Sequence, residues 1–98
     1  MKIEKSQDYL DSLKDVLVHI AKDSKQASGD FLKNTNIKIR DLTYFPYKYR
    51  KSIYFNDVDT RDLIYKGYTI PYEVDVENNT IVIIGITKYR QNLKRLND

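Results

Sequence analysis

The sequence has no cysteine among its 98 residues, which excludes a disulfide framework, a thiolate metal site and a cysteine nucleophile. Its single histidine, His19, leaves no histidine-rich metal site. No apolar run nears the roughly 20 residues that a membrane-spanning helix needs. The opening MKIEKSQDYL is too polar to be the apolar core of a secretory signal. A cytoplasmic protein with no membrane partner is therefore expected. A phosphate-cradling glycine loop, an HExxH helix and a nucleophile elbow are also missing, so neither a metal nor a cofactor is expected.

What is present reads as one globular domain spanning 1–98. Hydrophobic residues make up 41% and charged residues 32%, a balance that suits a folded chain and not a disordered one. A chain this short buries one modest core. The net charge of +3 is spread evenly, with eight basic and seven acidic groups in 1–45 and nine and seven in 46–98. The basic character is therefore local. Lys48, Arg50 and Lys51 surround Tyr49, and Lys88-Tyr89-Arg90 is followed by Lys94 and Arg95. Eight of the nine tyrosines lie from Tyr44 onward.

MKIEK suits a short edge strand. Leu10, Leu13, Leu17 and Ile20, widened by Val16 and Ala21, recur at helical spacing after Ser6, a suitable N-cap; this helix should end near Asp23. Ser24 opens a second helix carrying Ala27, Phe31, Thr35 or Ile37, Ile39 and Leu42, and Phe45-Pro46 should stop it. A short link makes the two an antiparallel hairpin. Beyond it, strands are expected at Lys51–Phe55, Arg61–Tyr65 and Tyr68–Val76. Lys66-Gly67 and Glu77-Asn78-Asn79 mark turns between them. Pro71 implies an edge position or a bulge. Thr80–Thr87 is almost continuously apolar, as in a central strand, with Gly85 permitting a bulge or a close approach. The fold class is α+β: an N-terminal helical hairpin on a twisted antiparallel sheet of three to four strands.

Among residues that carry chemistry, His19 reads as a helix-boundary residue, and Asp57, Asp59, Asp75 and Glu77 as solvated turn carboxylates. The basic-aromatic clusters offer more. Lysine and arginine hold phosphates, while tyrosine stacks on bases or donates a proton. Metal-free RNA cleavage through the 2′-hydroxyl needs a proton acceptor, cations around the pentavalent phosphate and an acid for the leaving oxygen. Arg61, Lys88, Tyr89 and Arg90 are the candidate catalytic set for that chemistry. Lys48, Arg50, Lys51, Lys94 and Arg95 are the candidate binding cations. The plainer alternative is that strand-end cations keep sheet edges soluble and that tyrosines pack half-buried.

Leu42-Thr43-Tyr44-Phe45-Pro46, Arg61-Asp62-Leu63, Tyr68-Thr69-Ile70-Pro71-Tyr72, and the apolar Ile81–Ile86 run leading into Lys88-Tyr89-Arg90 occur in an order that resembles the RelE/ParE superfamily of type II toxin–antitoxin modules. The resemblance covers nearly the whole chain and implies a helical hairpin on a twisted antiparallel sheet. It also implies a cognate antitoxin partner in a hetero-oligomer, with an acidic segment ordered on the toxin. It allows two targets, DNA gyrase for ParE-like members and mRNA in the ribosome for RelE-like ones. The two long helices favour the ParE branch. Arg61 and the Lys88-Tyr89 pair fall where ribosome-dependent members place a phosphate-binding arginine and a basic-aromatic pair. Lysine stands where several of those members have histidine. A third expectation is an inactive member that only binds its antitoxin.

Overall fold

The computed structural model describes residues 1–88. Its element order is β1 (Lys2–Lys5), α1 (Gln7–Ala21), α2 (Lys25–Asp41), β2 (Thr60–Tyr65), β3 (Tyr68–Asp75), β4 (Thr80–Ile83) and β5 (Thr87–Lys88). The α+β class holds, with two helices packed on one face of a sheet ordered β1-β4-β3-β2, where β5 also pairs with β3. The antiparallel sheet of the sequence reading is in fact mixed, because β1 runs parallel to β4, Ile3 opposite Ile81. A parallel neighbour needs a long crossover, and the helical hairpin between β1 and β2 supplies part of that path.

Ser6 joins helix to sheet. Its backbone is extended and its hydroxyl oxygen accepts from the Tyr9 N–H at 3.0 Å, satisfying one of the orphan donors of α1. The same hydroxyl donates to the Ile84 carbonyl at 2.7 Å, and the Ser6 N–H donates to the Ile83 carbonyl. The end of β4 thus fixes where α1 starts. Ser24 caps α2 by accepting from the Ala27 N–H, and the Ser28 hydroxyl donates to the Leu17 carbonyl across the hairpin.

The apolar stripe of α1 is rotated from the one expected. Tyr9 and Leu13 are its buried residues, whereas Leu10 is 42% exposed. Tyr9, Leu13, Val16, Leu17 and Ile20 keep the same helical period from a different start, and a tyrosine opening that run is easily taken for a surface residue. On α2 the choice between Thr35 and Ile37 resolves to Thr35, which is fully buried. That helix ends at Asp41, before Phe45-Pro46 is reached. The Thr43 hydroxyl donates to the Arg40 carbonyl, a local bond that competes with continuing the helix.

Lys66 and Gly67 both have positive φ in the β2–β3 turn, as a two-residue hairpin turn with the right-handed strand twist requires. The strand expected at Lys51–Phe55 shrinks to a single bridge, Lys51 with Arg61. The Ser52 N–H donates to the Thr60 carbonyl, but the Ile53 N–H is captured by the Asp62 carboxylate, and the ladder ends there.

Pro71 lies inside the sheet and not at its edge. β3 pairs with β2 on one side and with β4 and β5 on the other. The Ile84 N–H donates to the Pro71 carbonyl at 2.9 Å, so the missing proline N–H faces the same neighbour. Tyr72 pairs with Ile83 and Thr69 with Thr87. Three residues, Ile84-Gly85-Ile86, therefore stand opposite two, Ile70 and Pro71. The single strand expected at Thr80–Thr87 is broken by this bulge into β4 and β5.

Tyr68, Ile70, Tyr72 and Val74 point from β3 to the helices, alongside Leu63, Ile81 and Ile83, and all are buried. Phe31 of α2 stacks on Tyr65 and meets Tyr68 edge-on, each at 5.4 Å between centroids. Replacing Ser6 with alanine removes a helix cap and a tie to β4 together. It should cost about 1–2 kcal/mol in urea unfolding and lower Tm by roughly 4–8 °C per kcal/mol, with the helical circular dichroism of the folded state unchanged.

Candidate functional site

Arg61 stands on β2 opposite Tyr72, at the end of the sheet that the loop 42–59 covers. Its guanidinium is committed within the chain. Nε donates to the Val58 carbonyl and Nη1 to the Tyr49 carbonyl, both at 3.1 Å, and the group lies 4.9 Å from the Tyr47 ring centroid. Planar donors and a stacking face suit arginine to this brace, and lysine would not replace it. Further ties hold the same loop. The Tyr72 hydroxyl donates to the Pro46 carbonyl at 2.7 Å, the Tyr49 ring meets Tyr72 edge-on, and the Tyr47 hydroxyl donates to Asp59 Oδ1 at 2.8 Å.

Burial pushes the Tyr72 phenol up to about 12, and burial does the same to Tyr9, also to about 12. The hydrogen bond to Asp59 raises the Tyr47 phenol above its ordinary value, with smaller contributions from burial and the Asp59 charge. Asp57 accepts from the Asp59 N–H and the Thr60 hydroxyl. The acidic residues of this loop therefore shape the turn, as expected.

The first basic cluster lies along the outer side of β2. Lys48 is exposed, its Nζ 5.6 Å from the Tyr49 ring centroid. Arg50 pairs with the fully buried Asp62 at 3.6 Å, and its carbonyl accepts from the Asp62 N–H. Lys51 is exposed at the bridge to Arg61. Asp62 is the residue of this region that sequence reasoning passed over. A carboxylate alternating with Arg61 and Leu63 on a strand reads as solvent-facing, and only its place beneath Arg50 and the Ile53 N–H buries it.

Lys88 is exposed and pairs with Tyr68 on β5. It borders a cleft of about 320 Å³ with Ser12, Asp15, His19 and Thr87. Arg61 and Lys88 share the helix-facing side of the sheet by register, but at different ends. Four residues along β3 and two strand spacings across put their Cα atoms roughly 16 Å apart. They do not converge on one phosphate. Tyr89, Arg90, Lys94 and Arg95 lie outside the described residues. Among the described residues, no group of histidine, cysteine, aspartate or glutamate side chains could hold a metal ion, and no helix is long and apolar enough to cross a membrane.

The family model described as "ParE toxin of type II toxin-antitoxin system, parDE" matches residues 3–93, and the chain belongs to that family. It is also similar in fold to a solved structure of the chromosomal ParDE toxin–antitoxin system from P. aeruginosa. The TM-score is 0.70 at 12% identity, over 90% of this chain and 95% of that one. No curated protein matches the sequence.

Replacing Arg61 with alanine should lower stability by about 2 kcal/mol, because two carbonyls lose a charged donor; Arg61→Lys should recover less than half. Urea unfolding of the three proteins checks this. A second expectation concerns alkaline pH. A folded phenol near 12 against about 10 unfolded contributes stability that is complete below pH 10 and lost as pH rises towards 12. Tyr9 is fully buried and its hydroxyl has no hydrogen-bond partner among the described residues, so Tyr9→Phe removes an unsatisfied polar group and should raise stability at pH 7 by about 1 kcal/mol. Tyr72→Phe should cost about 1 kcal/mol there. Both should flatten the fall in Tm between pH 10 and 12.

Proposed function

We propose that the chain is a ParE-like growth inhibitor that acts in the cytoplasm by binding DNA gyrase, and that a cognate antitoxin neutralises it in a hetero-oligomeric complex. No cofactor takes part in this reading. Membership of the ParE family over residues 3–93 supports it, as do the two long helices, Gln7–Ala21 and Lys25–Asp41. Leu10 and Val18 on α1 and Ile37 on α2 are exposed, which leaves apolar side chains of the hairpin accessible to a protein.

The observation that favours a binding poison over a ribosomal nuclease is the separation of Arg61 from Lys88. A catalytic set must hold its groups in contact with the reacting phosphate, each to within a fraction of an ångström of its productive position. Here the arginine is folded into a loop brace and the lysine stands roughly 16 Å away by the register of β3. A nuclease built on this chain would have to work through Lys88, Tyr89 and Arg90 without Arg61.

The test is induction in a bacterium lacking the antitoxin, with DNA and protein synthesis pulse-labelled in parallel over the first minutes. DNA synthesis should fall first, and purified toxin should inhibit gyrase supercoiling. Tyr89→Phe should arrest growth as wild type does. An early fall in protein synthesis, abolished by Tyr89→Phe, would move the target to the ribosome. Arg61→Ala is the poorer probe, because its loss of stability mimics a loss of catalysis.

A further inference from the structure

The two edges of the sheet are finished differently. On the β2 side the chain closes its own edge. The Ser52 N–H donates to the Thr60 carbonyl, the Asp62 N–H to the Arg50 carbonyl, and Lys51 bridges Arg61. On the other side β1 has one neighbour, β4, among the described residues. The Lys2 N–H donates to the Asn79 carbonyl at 2.9 Å and the Ser6 N–H to the Ile83 carbonyl at 3.0 Å. Backbone groups alternate sides along a strand. Lys2, Glu4 and Ser6 therefore turn theirs inward to β4, while Ile3 and Lys5 turn their N–H and C=O outward. An edge with unpaired donors and acceptors is a template for another strand.

The side chains on this edge decide which strand suits it. Ile3 lies opposite the core residue Ile81 and is half-buried on the helix-facing side. Lys2 and Glu4 alternate with it, so they stand on the opposite face, where both are exposed. Neither makes an ion pair among the described residues. Edges protected against self-pairing carry charges that repel a copy of themselves. The order Lys2-Ile3-Glu4 does the reverse. In an antiparallel pair of two β1 strands with Ile3 opposite Ile3, Lys2 of each copy falls opposite Glu4 of the other. Ile3 then exchanges its outward N–H and C=O with its counterpart. The Lys2–Glu4 pairs occupy the sites between such exchanges, where opposed Cα atoms are about 4.5 Å apart and side chains come closest. Centring the pair on Lys2 or on Glu4 sets like charges face to face, and in-register parallel pairing does so at both positions.

We propose that β1 is a self-association edge: a second copy of this chain pairs antiparallel with it across a two-fold axis at Ile3, joining the two sheets into one. The seam is held by the outward backbone groups of Ile3, by two Lys2–Glu4 pairs on the face away from the helices, and by Ile3 against Ile3 on the other face. A two-fold interface uses the same patch twice, so one short strand can supply both partners of each charge pair. Four residues a side make a small interface, and the dimer is accordingly reversible and forms as concentration rises. Neither gyrase nor an antitoxin takes part.

The test is sedimentation velocity of the full-length chain at low salt across a wide range of concentration. Wild type should pass from monomer to dimer. Glu4→Lys sets Lys2 against a lysine, and Lys2→Glu sets Glu4 against a glutamate. Both positions are exposed, so the fold should survive, and each variant should raise the dimer Kd on the order of tenfold. An equimolar mixture of the two variants, or both exchanges in one chain, recreates the opposite-charge pairs and should recover wild-type association. Amide hydrogen exchange gives a second readout. Ile3 and Lys5 should gain protection as concentration rises, while Glu4, already turned to β4, should change little. A wild-type chain that stays monomeric throughout overturns the proposal. So does a dimer indifferent to both single variants, which would place self-association elsewhere, or one that the variants weaken and their mixture fails to restore. Protection of Ile3 and Lys5 that appears only when an antitoxin is added would give the edge to a different strand, and overturns it too.

Discussion

β3 is paired on both sides along most of its length, and a strand in that position must offer a donor and an acceptor to each neighbour in turn. Pro71 cannot. Its carbonyl accepts from the Ile84 N–H, but nothing can be donated back, and the opposing strand responds with an extra residue. Because side chains alternate, one added residue moves everything beyond it to the other face. Continued without the bulge, the register that pairs Tyr72 with Ile83 would put Lys88 on the face away from the helices. With the bulge, Lys88 pairs with Tyr68 and lies beside Asp15 and His19 of α1. One missing hydrogen at Pro71 thus decides which side of the sheet receives the start of the basic C-terminal cluster.

The other end of β3 organises the loop. Tyr72 is fully buried in the core, and its hydroxyl reaches Pro46. Its partner across the ladder, Arg61, reaches Tyr49 and Val58. These adjacent residues act on the loop from within the sheet. The helix-facing side is therefore divided, with the hairpin packed over Tyr68 and Ile70 and the loop 42–59 held over Tyr72 and Arg61. The same division separates the two candidate cations, since Arg61 belongs to the loop's half and Lys88 to the hairpin's.

Much of this was legible in the sequence, for identifiable reasons. Helix starts were clear because a serine with a free hydroxyl preceded each periodic run, and Ser6 and Ser24 both cap as expected. The β2–β3 turn was clear because Lys66-Gly67 tolerates positive φ. Strand extents were less so. Lys51–Phe55 has β-forming residues, but whether they pair depends on Asp62, nine positions from Ile53, capturing a backbone N–H. Thr80–Thr87 is apolar throughout, so composition could not show where its register breaks. Proline at position 71 and glycine at 85 raised a bulge, but only pairing on both sides of β3 placed it opposite Pro71. Of the candidate site, residue types were readable and roles were not. Nothing in Arg61-Asp62-Leu63 tells that the arginine braces a loop while the aspartate is buried.

That loop is the least expected feature by the logic of folding alone. A small domain is stable by only about 5–15 kcal/mol, and large aromatic side chains are its strongest source of burial. Left to packing, Phe45 and Tyr44 would turn inward. Here polar groups of Tyr72, Arg61 and Tyr47 fix the surrounding backbone while those two rings stay in water. An arrangement that orders a loop without burying its aromatics gains its stabilisation only when another surface covers them.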